Sequence, residues 1–117
     1  MFTFYQYPPC STCKRAKKEL DQLALDYHDI NIKVNPPSEE SLLAWMSQGD
    51  FTLKQFFNTS GQRYRELGLK DKLADMSQAE AAALLASDGM LIKRPLLVKD
   101  DQLLQIGYRS DYETLLS

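Results

Sequence analysis

Cys10 and Cys13 are the only cysteines in this chain of 117 residues, and they form a Cys-x-x-Cys within Pro8-Pro9-Cys10-Ser11-Thr12-Cys13-Lys14-Arg15. The stretch lies between an aromatic, strand-like opening and a helix-like continuation. A strand that runs directly into a helix leaves unpaired amide N–H groups and the positive end of the helix dipole beside the first sulfur, which favours thiolate over thiol. Cys10 therefore reads as a nucleophile. Cys13, one helical turn further on, is placed to attack a mixed disulfide formed at Cys10 and release the bound partner as a thiol. Half a zinc site is a competing reading of the same spacing, but His28 is the single histidine and no third cysteine exists to close a four-ligand set. Two inert buried thiols or a structural disulfide are a second competitor, since free cysteine is among the most buried residue types. Thiol redox chemistry is favoured, with no metal and no organic prosthetic group implied.

The elements that must hold this pair can be read from periodicity. Phe2 to Tyr5 suits a buried strand, and Lys14 to Leu25 carries Ala16, Leu20 and Leu23 on one helical stripe. Extended backward, the stripe reaches Cys13, so Cys13 turns toward the core while Cys10 stays nearer solvent. Tyr27 to Ile32 alternates like a second strand, with His28 as a partly exposed strand residue. Pro36-Pro37 ends this βαβ-like unit, and Ser38 to Gln48 follows as a helix. Short helices are predicted over Leu53 to Phe57 and Gln62 to Leu67, broken at Asn58-Thr59-Ser60-Gly61 and at Gly68. Ser77 and Glu80 make a capping box for the run to Ala86, closed by Ser87-Asp88-Gly89. Strands at Leu96 to Val98 and Leu103 to Ile106 form a hairpin, and a second capping box at Ser110 and Glu113 opens a final helix. The order β-α-β, helical stretch, hairpin, α puts the cysteines at the first strand-to-helix junction, where open α/β sheets place their chemistry. Read from local sequence alone, Arg94-Pro95 is an ordinary trans proline starting a strand.

With 44% hydrophobic and 26% charged residues, the chain can bury a core as one domain over residues 1–117. The opening Met-Phe-Thr-Phe-Tyr lacks a basic leader, and no apolar run approaches the ~18 residues that span a bilayer, so a soluble, cytoplasmic protein is expected. Fourteen basic and sixteen acidic residues give a formal charge of -2 with both signs spread along the chain, which argues against direct nucleic-acid binding. Lys14, Arg15, Lys17 and Lys18 form the densest positive cluster, read as a solvated helix face that raises the potential beside Cys10.

Tyr5-Gln6-Tyr7-Pro8-Pro9-Cys10-Ser11-Thr12-Cys13-Lys14-Arg15-Ala16, Phe56-Phe57-Asn58-Thr59-Ser60-Gly61, Tyr64-Arg65-Glu66-Leu67, the block from Leu84 to Leu96 and Ile106-Gly107-Tyr108 together resemble the arsenate reductase (ArsC)/Spx/MgsR family of thioredoxin-like proteins, in its small bacterial branch. The resemblance implies an α/β, thioredoxin-like (glutaredoxin-like) fold with a four-stranded mixed sheet, a helical insertion at about 36–88 between strands 2 and 3, and a cis bond before Pro95. Arsenate reductases of the family attack oxyanion with the cysteine matching Cys10 and hold it with three arginines. Only Arg94 matches here; Asn58 and Tyr108 stand at the other two places, with Arg109 adjacent. Losing two guanidinium groups argues against arsenate as the substrate. Spx-type regulators also resemble this chain in keeping both cysteines, and they bind RNA polymerase; Gly49-Asp50 falls where they make that contact, while the basic residue they carry in the 58–61 region is absent.

The function expected is a cytoplasmic thiol–disulfide oxidoreductase acting on a protein or glutathione-like disulfide. Cys10 attacks and Cys13 resolves. The amides of Ser11, Thr12 and Cys13 stabilise charge on the Cys10 sulfur, Arg94 binds an anionic group such as a glutathione carboxylate, and Pro95 shapes the substrate-facing backbone. The alternatives are an Spx-like redox-responsive regulator binding the RNA polymerase alpha subunit, an arsenate reductase, and a non-catalytic adaptor.

Overall fold

Strand β1 (Phe2–Gln6) runs through the middle of a four-stranded sheet in this computed structural model, which describes residues 1–117. The sheet order is β2-β1-β3-β4. β2 (Tyr27–Asn31) pairs with β1 in parallel, a pairing that needs a crossover connection, here helical, while β3 (Leu96–Lys99) lies antiparallel to β1 and β4 (Gln102–Ile106) antiparallel to β3. The mixed sheet is the one the family resemblance implies. Residues 1–31 and 94–117 form one compact unit and residues 32–93 another.

In the first unit, Phe4, Ala16, Leu20, Leu97 and Tyr112 are fully buried together, joining β1 and β3 to helix α1 (Ser11–Gln22) and to the C-terminal helix. α1 starts beside Cys10, as expected, and ends before the predicted Leu25. The helix has Cys10 as its extended N-cap (φ -74°, ψ 122°), whose sulfur, in place of the usual oxygen, accepts the Cys13 N–H. It stops earlier because Ala24 takes a left-handed φ of +56° and turns the chain into β2. The Arg94–Pro95 peptide is cis, as the resemblance implied and contrary to the local-sequence reading.

The second unit, lying between β2 and β3 in the chain, is helical. It comprises α2 (Glu39–Ser47), α3 (Gln62–Glu66), α4 (Gln78–Ser87) and 3₁₀ turns at Leu53–Phe56, Leu69–Asp71, Leu73–Asp75 and Gly89–Leu91. Leu42, Phe56, Leu85, Leu91 and Ile92 are fully buried in it. Ser38 caps α2 through Ser41 N–H at 3.0 Å, and the Ser77–Glu80 box opens α4 with both of its bonds formed. Gly89 is a matter of space: a Cβ there would collide with the backbone carbonyl of Ile32.

Back in the first unit, the final helix α5 (Tyr112–Leu116) is capped by Asp111, whose carboxylate accepts Thr114 N–H at 2.9 Å, and not by Ser110 as expected. Ser110 Oγ is instead hydrogen-bonded to the Gln105 side-chain amide at 2.8 Å, so the cap moves one residue on. No helix is long and apolar enough to cross a membrane.

Candidate functional site

Pro8 and Pro9 follow β1 and end it, because neither can donate to a sheet ladder. The chain turns there, with Cys10 N–H donating to Tyr7 C=O at 2.9 Å, and Cys10 then caps α1. Cys10 Sγ accepts the N–H of Cys13 at 3.4 Å, and Cys13 Sγ accepts the N–H of Tyr7 at 3.5 Å. Cys10 is half-buried; Cys13 is fully buried on the same helical stripe as Ala16 and Leu20. The inward and outward faces expected of the two residues are those observed.

These surroundings drive the two thiols apart. Burial pushes Cys10 up, but the N–H and thiol of Cys13, the Arg94 guanidinium and the N–H of Thr12 together outweigh it, so its pKa falls below the ordinary thiol value. Burial dominates at Cys13 and carries it up to about 12, reinforced by the neighbouring Cys10 and only partly offset by Tyr7 N–H and Arg94. An outer thiol inclined to ionise therefore sits over an inner thiol that keeps its proton. Such a pair can attack at the first sulfur and close at the second.

Arg94 places its guanidinium carbon 5.3 Å from the centre of the Tyr7 ring, a cation–π distance. Tyr7 thus braces Arg94 with its ring and holds Cys13 with its N–H. Sequence reading gave Tyr7 no role, and nothing in its spacing signals one. Next to Arg94, the Pro95 carbonyl accepts Gly107 N–H at 2.8 Å, with Gly107 in the left-handed region at φ +73°. Tyr108 follows. Its hydroxyl donates to Glu19 Oε1 at 2.6 Å, its ring centre lies 6.0 Å from the Arg15 guanidinium carbon, and burial with Glu19 pushes its pKa up to about 12. The phenol is already committed to a carboxylate. Glu19 also receives Tyr112 N–H at 2.6 Å and Glu113 N–H at 3.2 Å, tying α1 to the start of α5; these partners lie 89 to 94 residues away in sequence, beyond any local pattern.

Of the remaining expected residues, Thr12 lies beside the sulfurs through its backbone, and its Oγ1 is 3.5 Å from Arg15 Nη2. Ser11 is exposed at the first position of α1. Asn58 is in the second unit, where its N–H donates to Leu91 C=O at 2.8 Å. Gly49 adopts φ +80° just past α2, donating its N–H to Met46 C=O, a helix-terminating use of glycine. His28 is exposed on β2. No group of three or more His, Cys, Asp or Glu side chains is arranged to hold a metal ion.

Known proteins share this architecture. The crystal structure of a possible arsenate reductase from Streptococcus mutans UA159 superposes with a TM-score of 0.97 at 62% identity, covering 100% of this chain and 98% of that one. The uncharacterized protein YusI of Bacillus subtilis (strain 168) is 50% identical over 109 residues, 93% of this chain and 92% of that protein. The regulatory protein MgsR of the same organism is 29% identical over 106 residues, 91% of this chain and 82% of that protein. Because the family model matches residues 5–114, from the end of β1 to within α5, the chain belongs to the ArsC family and has that family's thioredoxin-like α/β fold.

Proposed function

We propose that this protein is a thiol–disulfide oxidoreductase, one thioredoxin-like domain over residues 1–117, working in the cytoplasm on protein or glutathione-like disulfides. The Cys10 thiolate attacks a substrate disulfide; the S–S bond breaks, one substrate sulfur leaves and takes a proton from solvent, and the other stays bonded to Cys10. Cys13 then gives up its proton and attacks Cys10 Sγ, forming the Cys10–Cys13 disulfide and releasing the second substrate sulfur as a thiol. Two electrons pass from the cysteine pair to the substrate, and an external thiol reductant restores the pair. The Thr12 and Cys13 amides hold the charge on Cys10, Arg94 receives an anionic group of the substrate, and Ser11 and Pro95 line its approach. The observation that carries this reading is the placement of the two thiols: Cys10 caps α1 half-buried, its sulfur accepting the Cys13 N–H, while Cys13 is fully buried one turn on.

Arsenate reduction is disfavoured by the same site, because Tyr108 is bonded to Glu19 and Arg94 is the one guanidinium among the groups acting on Cys10. A regulatory reading is favoured by one observation, the likeness to MgsR. The regulatory reading is tested together with the main proposal. Iodoacetamide should modify Cys10 well below the free-cysteine pKa of ~8.5, and Cys13→Ser should accumulate a mixed disulfide at Cys10 that mass spectrometry identifies. A slow, ordinary Cys10 with no trapped partner sinks the oxidoreductase reading. If the immobilised protein retains the carboxy-terminal domain of the polymerase's alpha chain and shows no disulfide turnover, regulation is supported.

A further inference from the structure

The outer face of α1 carries a shallow depression of about 460 Å³ lined by Lys14, Lys17, Lys18, Asp21 and Gln22. Lys14 is one helical turn from Cys10 and Lys18 one turn further, so the lysines continue along the helix from the nucleophile. Charge within the depression is unevenly used. Lys17 Nζ donates to Asp21 Oδ2 at 3.2 Å and to Tyr27 OH at 2.8 Å, and lies 3.9 Å from Asp29 Oδ2. Asp21 also accepts Tyr27 OH at 2.7 Å. Lys17 is therefore shared between the carboxylates of Asp21 and Asp29, while Lys14 and Lys18 are exposed and enter no ion pair. Arg15, also exposed, is braced on Tyr108 and likewise has no carboxylate partner. Lys14, Arg15 and Lys18 are thus three cations without carboxylate partners along the first two turns of the helix that Cys10 caps, on a chain whose formal charge is -2.

We infer that this face is a docking surface for a protein substrate with acidic residues flanking its reactive cysteine, Lys14 and Lys18 receiving the carboxylates while Cys10 attacks the adjoining disulfide. The inference rests on the oxidoreductase reading and adds the substrate class. Exposed charges of this kind act mainly by steering encounter, so their effect appears in the rate of attack and weakens with salt.

The test is a single-turnover reaction of the reduced protein with peptide disulfides bearing a coloured leaving thiol, flanked by acidic or by basic residues, with hydroxyethyl disulfide as an uncharged reference. At low ionic strength the acidic peptide should react roughly tenfold faster than the basic one, each rate divided by that of the reference, and the preference should shrink at high salt. Lys14→Glu/Lys18→Glu should invert the preference; Lys70→Glu/Lys72→Glu, the same charge change on exposed lysines of the second unit, should leave it intact. Equal rates for the two peptides, or a preference untouched by the first variant, overturn the docking inference while reaction with hydroxyethyl disulfide keeps the oxidoreductase reading standing. Failure to react with hydroxyethyl disulfide overturns both.

Discussion

The Arg94 guanidinium favours the thiolate form of both sulfurs, and its carbon lies 5.3 Å from the centre of the Tyr7 ring. Removing the guanidinium in Arg94→Gln should raise the Cys10 pKa and slow its alkylation at neutral pH about threefold or more, the scale of one close charge in a half-buried site. Tyr7→Leu keeps the guanidinium and loses its brace, so the same rate should fall by a smaller factor; Tyr7→Phe keeps the ring and the backbone N–H and should leave it unchanged. Alkylation rate against pH for the three variants checks the order. A Tyr7→Leu profile indistinguishable from wild type would mean that the ring does not position Arg94. The opposite placement of Cys10 and Cys13 was legible in sequence because helix periodicity alone turns one sulfur in and leaves the other out. The Tyr7–Arg94 contact was not, since it joins two positions 87 apart that no periodicity links.

At the scale of elements, local capping signals were readable where a single residue could serve and misleading where neighbours competed. Ser77 and Glu80 form their box as spaced. Ser110 and Asp111 are both competent caps, and the choice falls on Asp111 because Ser110 Oγ is engaged with Gln105, a strand residue that helix-capping rules do not consult. The start of α1 beside Cys10 was legible from the strand-to-helix junction, although a thiol fills the cap position normally taken by a hydroxyl or carboxylate. Glu19 was missed altogether, although it accepts three hydrogen bonds, two from the first N–H groups of α5 and one from the Tyr108 hydroxyl. Bonds to an ionised acceptor contribute more than neutral ones, so Glu19→Ala should lower stability by about 2 kcal/mol in urea unfolding, while Ser77→Ala should lower it by about 1 kcal/mol. In the second unit, Gly89→Ala forces a methyl into the Ile32 carbonyl and should cost roughly 3 kcal/mol or more, the overpacking range at a site without room to relax. Near-wild-type stability of that variant would show that the Ile32 backbone can retreat.

For the molecule as a whole, these shifts combine into a stability profile with two unequal limbs. On the acid side, burial alone would raise Glu19, but hydrogen bonds from Tyr108, Tyr112 N–H and Glu113 N–H outweigh it, and Asp111 is lowered by Thr114. A carboxylate lowered in the folded state contributes stability above its unfolded pKa and loses it as the pH falls through the folded one, so this limb lies below about pH 4.5. On the alkaline side the sign reverses. Cys13 is raised by burial to about 12, Tyr108 is raised by burial and Glu19 to about 12, and buried Tyr112 is raised further in the same direction. Each binds its proton more tightly when folded, so its contribution is full below the unfolded pKa and is lost as the pH rises from there through the folded value. Cys10, lowered in the folded state, opposes this, gaining stability up to its unfolded pKa and adding nothing to the slope beyond it. The unfolding free energy should therefore fall steeply from about pH 9 upward, each raised group adding a slope that approaches about 1.4 kcal/mol per pH unit between its two pKa values. Cys13→Ala should start from a lower stability because of the cavity it leaves, yet decline less steeply, since one of the groups that bind a proton more tightly folded than unfolded is gone. Urea unfolding at a series of pH values separates the two effects, the offset from the cavity and the slope from the proton, and parallel alkaline limbs for the two proteins would show that Cys13 ionises as readily folded as unfolded.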